Sequence, residues 1–334
     1  NGDSRADWFD LVGPNLSPDT KEALLNLRDE RKGSFCNAAD GFDAAERIAQ
    51  LRTYLAAKGI DGFIVPRADE HQGEYVPARA ERLAWLTGFT GSAGAAVVLQ
   101  DHAAIFVDGR YTIQVRQQVN GTLYQYRHLV NEPAVGWIYD HLEAGQKLAY
   151  DPWLHTVAHA DQLREACESA GAELVAIDPN PIDALWHQQP AQPLAPARPH
   201  LLEYAGQSSA EKRATIAKAL ETLECEAAVI SAPDSIAWLL NIRGGDVPQT
   251  PLMLGYAIID KTGAVDLFAD DRKFAPETRD WIAGDATLRQ PGELADALRG
   301  LGNGSVRLDE ATASDWLRMQ LSKAGATVRV GRDP

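Results

Sequence analysis

The sequence predicts an α/β protein built as two related domains, and three observations carry that prediction. The 334 residues amount to two domains at roughly 150 residues each. Segments with apolar residues at helical spacing alternate with short apolar runs of strand length, as in a layered α/β fold. One stretch, Pro179 to Pro199, carries six prolines. Prolines remove backbone donors and fix φ, so this stretch reads as a linker between two such series.

Residues 1–40 read as an N-terminal extension. Asp7, Trp8, Phe9 and Leu11 make an irregular apolar patch, and Ser17 before Pro18 has the form of an N-cap with proline at the first helical position. The first domain, 41–178, opens with Ala44, Ile48, Leu51 and Leu55 at helical spacing, then Gly59 as a stop, then the buried strand Gly62 to Val65. A helix is expected over Arg79 to Leu86, and the runs Ala93 to Leu99 and Ala103 to Val107 form a hairpin about Gln100 to His102. Helices near Tyr111 to Val119, Pro133 to Leu142 and His155 to Gly171 alternate with strands near Tyr124, Leu148 and Leu174. After the linker, 179–200, the second domain, 201–334, restarts the series. It has a helix Ala210 to Leu223, a strand Ala227 to Ser231, a helix Asp234 to Leu240, and strands Met253 to Ile259 and Val265 to Ala269.

The two halves repeat each other. GFIVP, Ala84-Trp85-Leu86, AAVVL and FVDGRY in the first correspond to AAVISAPD, Ala237-Trp238-Leu239, YAIID and LFADDRKF in the second. Trp85 to Asp108 spans 23 residues and Trp238 to Asp270 spans 32. The added length falls at Arg243 to Leu252, and an insertion on a repeated scaffold is a natural seat for a specific task.

Net charge is −15, which disfavours nucleic acid and anionic membrane surfaces as partners. No apolar run approaches the roughly 20 residues of a membrane span, and no secretory signal is expected. Cys36, Cys167 and Cys225 are too scattered for a disulfide framework or a thiolate zinc site, so a reducing cytoplasm is the expected location.

Several groups invite a chemical reading. His155 and His159 share the i, i+4 spacing of zinc hydrolases, but Thr156 stands where a Glu is needed, so two solvated helix histidines are expected. Gly88, Gly91 and Gly94 around Ser92 lack the Lys of a P-loop and the preceding strand of a dinucleotide fingerprint, which leaves a tight loop entering a strand. Asp108 and Arg110 end an apolar strand, where a guanidinium fork suits a carboxylate or carbonyl. A structural pair pinning a turn is the equal alternative, and Asp270 with Arg272 repeats it. Arg67, Asp69, Glu70, His71, Gln72 and Glu74 crowd the loop after the first strand; Arg243 and Asp246 crowd the insertion. Solvated surface charge explains both without function. No catalytic set and no metal-ligating set stands out.

IVPRADEHQGEY (64–75), LTGFTGSAG (86–94), HAAIFVDGRY (102–111), DSIAWLLNIRGGDVPQTP (234–251) and GYAII (255–259) closely resemble the three-domain Xaa-Pro aminopeptidases, also called aminopeptidase P. The likeness runs in order from about Phe42 to Pro334. It implies two tandem creatinase N-terminal-like domains with mixed sheets flanked by helices, followed by a catalytic pita-bread domain absent from this chain. That domain holds two divalent metals, usually manganese, and hydrolyses the bond between an N-terminal residue and a following proline.

By match, Arg110 of the DGRY motif helps bind substrate, and His71, Arg243 and Asp246 fall in segments expected near the cleft. Trp85 lies one place from a cleft tryptophan of related enzymes and is read as core. Expected partners are a peptide with proline at its second position, the C-terminal catalytic domain and a second copy of the chain. Two further readings stand beside this one: a stand-alone module that grips peptides or proteins without cutting, and an independent enzyme with an unrecognised site.

Overall fold

The computed structural model describes residues 43–334. The apolar patch at Asp7 to Leu11, the helix expected after Ser17 and Cys36 lie outside the described residues.

Two six-stranded mixed sheets carry the chain. The first is built from β1 (Gly62–Pro66), β2 (Gly94–Leu99), β3 (Ala103–Val107), β4 (Gln125–His128), β5 (Lys147–Tyr150) and β6 (Glu173–Ala176), in the order β4-β3-β2-β1-β5-β6. A two-stranded ribbon pairs β7 (Arg198–Pro199) with β9 (Ile242–Arg243). The second large sheet uses β8 (Ala227–Ile230), β10 (Tyr256–Asp260), β11 (Val265–Phe268), β12 (Thr287–Arg289), β13 (Ser305–Leu308) and β14 (Thr327–Val330), in the order β12-β11-β10-β8-β13-β14.

The pairing senses repeat as well. β2 runs antiparallel to β1 and β3, as β10 does to β8 and β11. β5, β6 and β4 join by parallel pairing, as β13, β14 and β12 do. The internal repeat in the sequence is therefore one topology used twice.

Helices cover both faces of each sheet, so central strands are buried on both sides and read as continuous apolar runs. In β1, Phe63 and Val65 face one core cluster while Ile64 faces another; in β8, Ala228 and Ile230 oppose Ala227 and Val229 in the same way. The helix Ala44–Ala56 buries Ile48, Leu51 and Leu55 on the first of these faces. Two glycines in corresponding places permit close strand approach: a Cβ on Gly94 or on Gly255 would stand 2.9 Å from the carbonyl oxygen of Phe106 or Phe268 respectively.

Some expected elements shift. The helix over Arg79 to Leu86 is a 3-10 turn Ala78–Ala80 followed by the helix Arg82–Thr87, which Gly88 ends at φ 82. The proline-rich stretch holds a short helix, Pro181–Leu185, because Pro181 sits at its first turn, where no donor is required, and Asn180 caps it. Met253 to Gly255 precede β10 rather than forming part of it.

The two sheets share a packed seam. Val157 of the first domain belongs to the core cluster of the second, with Trp153 packed against it. Trp153 and Trp316 stack at 3.9 Å. No described helix is long and apolar enough to cross a membrane.

Candidate functional site

Arg110 stands at the end of β3, on a 3-10 turn Gly109–Tyr111 that Asp108 caps by accepting the Arg110 backbone N–H. Arg110 Nε and Nη2 donate to Oδ2 of Asp108 at 3.0 and 2.7 Å, and Nε also reaches Oδ1 at 3.2 Å. These hydrogen bonds hold the Asp108 carboxyl below its usual range. The Arg110 side chain remains 61% exposed. The second domain copies this arrangement: Asp270 caps a 3-10 turn, accepts the Arg272 backbone N–H, and takes Nε and Nη2 of Arg272 at 2.9 and 2.6 Å. There the Asp270 carboxyl is pulled down to about 2, first by the Arg272 side chain. The strand-end fork thus recurs in both halves of the repeat, and it presents an oriented guanidinium to solvent twice.

Next to Arg110, Tyr111 shares a 2.7 Å hydrogen bond with Ser92. The glycine-containing segment around Ser92 is the tight loop expected: Gly91 lies so close to the Phe89 ring that a Cβ would collide at 2.3 Å. Trp85 packs against the first core cluster, stacked on Trp186 and covered by Arg47.

His71 is at the seam. It is buried, its Nδ1 lies 3.3 Å from the carbonyl oxygen of Ser231 in the second domain, and its ring stacks on Tyr256 at 4.5 Å. Asp69 shapes the loop by accepting the N–H groups of His71 and Gly73, and burial pushes its carboxyl up. Glu70 pairs with the buried Arg82, which also holds Asp183 through two nitrogens, while the Glu70 carbonyl accepts the Tyr256 hydroxyl. His71, Glu70, Arg79, Trp153, Tyr256 and Lys273 are among the residues lining a cavity of about 480 Å³ between the two domains. Sequence reasoning reached His71 here but missed Trp153, Tyr256 and Lys273, each of which reads as core or solvated charge until the domains are brought together.

Arg243 and Asp246 have separate surroundings. Arg243 Nη1 donates to the carbonyls of Ala237 and Ile242, closing the end of the helix Pro233–Leu239. Asp246 is fully buried at its side chain and pairs with Lys273 at 2.7 Å. It also accepts the N–H groups of Ala195 and Leu254. One carboxylate therefore ties the proline-rich connection, the entry to β10 and the turn after β11.

None of Arg110, His71, Arg243 and Asp246 hydrogen-bonds to another. His71 and the Asp246 partner Lys273 share the cavity, while Arg110 faces solvent on the first domain.

The expected pair of solvated helix histidines is corrected. His155 is wholly buried and lies just outside the helix Val157–Ser169, whose N-cap is Thr156. Its Nδ1 is 3.1 Å from that of His159. The i, i+4 spacing suggests one helical face, but the cap at Thr156 turns His155 into the seam. Among the described residues no group of three or more His, Cys, Asp or Glu is placed to hold a metal ion. The described residues do not fit a resident metal, so no chemical step is routed through one.

The Creatinase/Prolidase N-terminal domain family matches residues 47–185 and, in a second form, residues 188–334. A probable Xaa-Pro aminopeptidase P of Ajellomyces dermatitidis is 34% identical over 275 residues, covering 81% of this chain and 44% of that protein. Its counterpart in Talaromyces marneffei is 37% identical over 251 residues, covering 74% and 38%. The chain spans less than half the length of the curated relatives it matches. Among solved structures, an X-prolyl aminopeptidase from Caenorhabditis elegans, described as a cytosolic enzyme with a di-nuclear active site, superposes with a TM-score of 0.81. It is 24% identical, over 87% of this chain and 50% of that one. This likeness establishes the shared fold.

Proposed function

Because this chain belongs to the creatinase/prolidase N-terminal domain family, whose domain it carries twice in tandem, we propose that it is the non-catalytic N-terminal region of a cytoplasmic, metal-dependent Xaa-Pro aminopeptidase. The observation that carries this reading is the ordered match over 81% of the chain to Xaa-Pro aminopeptidase P proteins of which the match covers under half. In this reading a further domain supplies the two divalent metals, manganese by family resemblance, and the hydrolytic step. The present residues contribute shape and orientation.

The two domains wall a cleft that admits a free, extended N-terminus with proline in second place. Arg110 holds such a peptide through a carbonyl or carboxylate oxygen. Its fork is already oriented by Asp108, so little side-chain freedom is lost on binding. Positioning of this kind lowers the barrier by fixing the scissile bond relative to the nucleophile, without breaking bonds itself. His71, Arg243 and Asp246 act more indirectly in this reading: they fix the loop and the insertion that border the seam.

The test is Arg110→Ala in a protein that joins this chain to its metal-binding domain. Removing a charge-assisted contact to substrate lowers kcat/KM for an Xaa-Pro-Xaa peptide by about tenfold or more, with metal content unchanged. Wild-type kinetics in that variant remove Arg110 from the site.

A further inference from the structure

A pair of imidazoles, neither among the residues that line the cavity, lies at the seam between the two domains. His155 is 0% exposed, and its Nε2 has no hydrogen-bond partner. Its Nδ1 and that of His159 are 3.1 Å apart, so the two rings share one hydrogen and cannot both be cationic without repulsion. The main chain around them crosses the seam four times. Asp315 N–H donates to the His155 carbonyl at 2.8 Å and Trp316 N–H to Pro152 at 2.9 Å; Val157 N–H donates to Ala313 at 3.0 Å and Ala158 N–H to Glu310 at 3.2 Å.

We infer that His155 and His159 form an acid-sensitive latch between the two domains: the seam is closed while both rings are neutral, and proton uptake by the pair opens it.

The groups around the rings offer no countercharge. From β5, Tyr150 meets His155 edge-on at 5.7 Å and gives its hydroxyl to Asp315. From the helix Asp315–Lys323, the Asp315 carboxylate is already engaged by Arg318, and by Arg164 at 3.7 Å. Asp161 on the helix of His159 is bound to Arg164 and Arg318. Glu310 offers its main-chain carbonyl. Among the described residues, no carboxylate hydrogen-bonds to either ring. Burial holds His155 well below the usual imidazole range, His159 adding to the effect, and burial lowers His159 too.

Both groups are therefore kept neutral by folding. Their contribution to closure is complete above the unfolded imidazole value of about 6.5 and is lost as pH falls below it. Asp151, in the adjoining turn, has the opposite sign. Burial raises its carboxyl to about 6, so its contribution grows as pH falls toward 4 and it does not drive opening in acid.

Amide hydrogen exchange on the 334-residue chain between pH 7.5 and 5, corrected for intrinsic rates, tests the latch. The amides of Val157, Ala158, Asp315 and Trp316 lose protection by about 30-fold or more, each proton excluded by the closed seam contributing about 30-fold over the roughly 1.5 pH units below 6.5. Amides inside β2 and β10 keep theirs. In His155→Gln combined with His159→Gln the seam loses less than about threefold, and His155→Gln alone falls between. The proposal is overturned if wild-type seam protection is flat, if all amides lose protection together, or if the double variant loses as much as the wild type. The wild-type profile alone suffices to overturn it should the double variant fail to fold.

Discussion

Asp246 and Arg272 show how differently two charged residues behave in this fold. Asp246 is buried against Lys273, with two main-chain donors on its oxygens. Removing it strands an ammonium in the interior, and breaking a buried pair in this way costs about 3–5 kcal/mol. Asp246→Ala is therefore expected to shift the denaturant midpoint down strongly; a variant as stable as the wild type contradicts the assigned tie. Arg272, by contrast, is exposed and bonded to its own turn. Arg272→Ala and Arg110→Ala leave the thermal midpoint unchanged, so any kinetic effect of Arg110→Ala reads on substrate rather than on folding. A shared fall in midpoint of both variants makes the forks structural supports.

At the scale of elements, corresponding positions of the two sheets share constraints. Gly94 and Gly255 each stand against a carbonyl of the neighbouring strand. An alanine at either must push the antiparallel pair apart, and overpacking of this order costs about 1–3 kcal/mol. Gly94→Ala and Gly255→Ala should both lower the denaturation midpoint; unchanged stability in either means the strands yield freely. The elements themselves were largely legible in the sequence: the apolar runs at β1, β2, β3 and β8 and the periodicity of Ala44–Ala56 depend on burial patterns that the chain writes directly.

Legibility ends where long-range contact decides. His155 and His159 carry helical spacing, yet the Thr156 cap and the packing of the second domain bury His155. Asp246 looks like loop charge, and only the approach of Lys273 from the turn after β11 makes it an internal tie. His71 was visible as one charge among several, whereas its stacking on Tyr256 joins residues 185 positions apart in chain number.

The described residues form two copies of one sheet topology, joined at a seam that mixes aromatic stacking, main-chain bonds and an ionic cluster about the buried Asp315. Trp153 against Trp316 is the most compact aromatic contact across it. Stacked pairs add about 0.5–1.5 kcal/mol beyond the area they bury. Trp316→Ala therefore loosens the seam, and the two domains, each with its own core clusters, are expected to unfold in two resolved calorimetric steps where the wild type unfolds in one. A single step in the variant shows that the coupling lies elsewhere. The seam keeps the two scaffolds in fixed register, as the proposed wall for an extended peptide requires.

The central claim is that this chain shapes and positions while chemistry resides in another domain. It is tested most directly by incubating the purified 334-residue chain with manganese and an Xaa-Pro-Xaa peptide, measuring release of the first residue alongside bound metal. The account predicts no proline-specific cleavage and no stoichiometric tightly bound metal. Cleavage together with tight stoichiometric metal contradicts it.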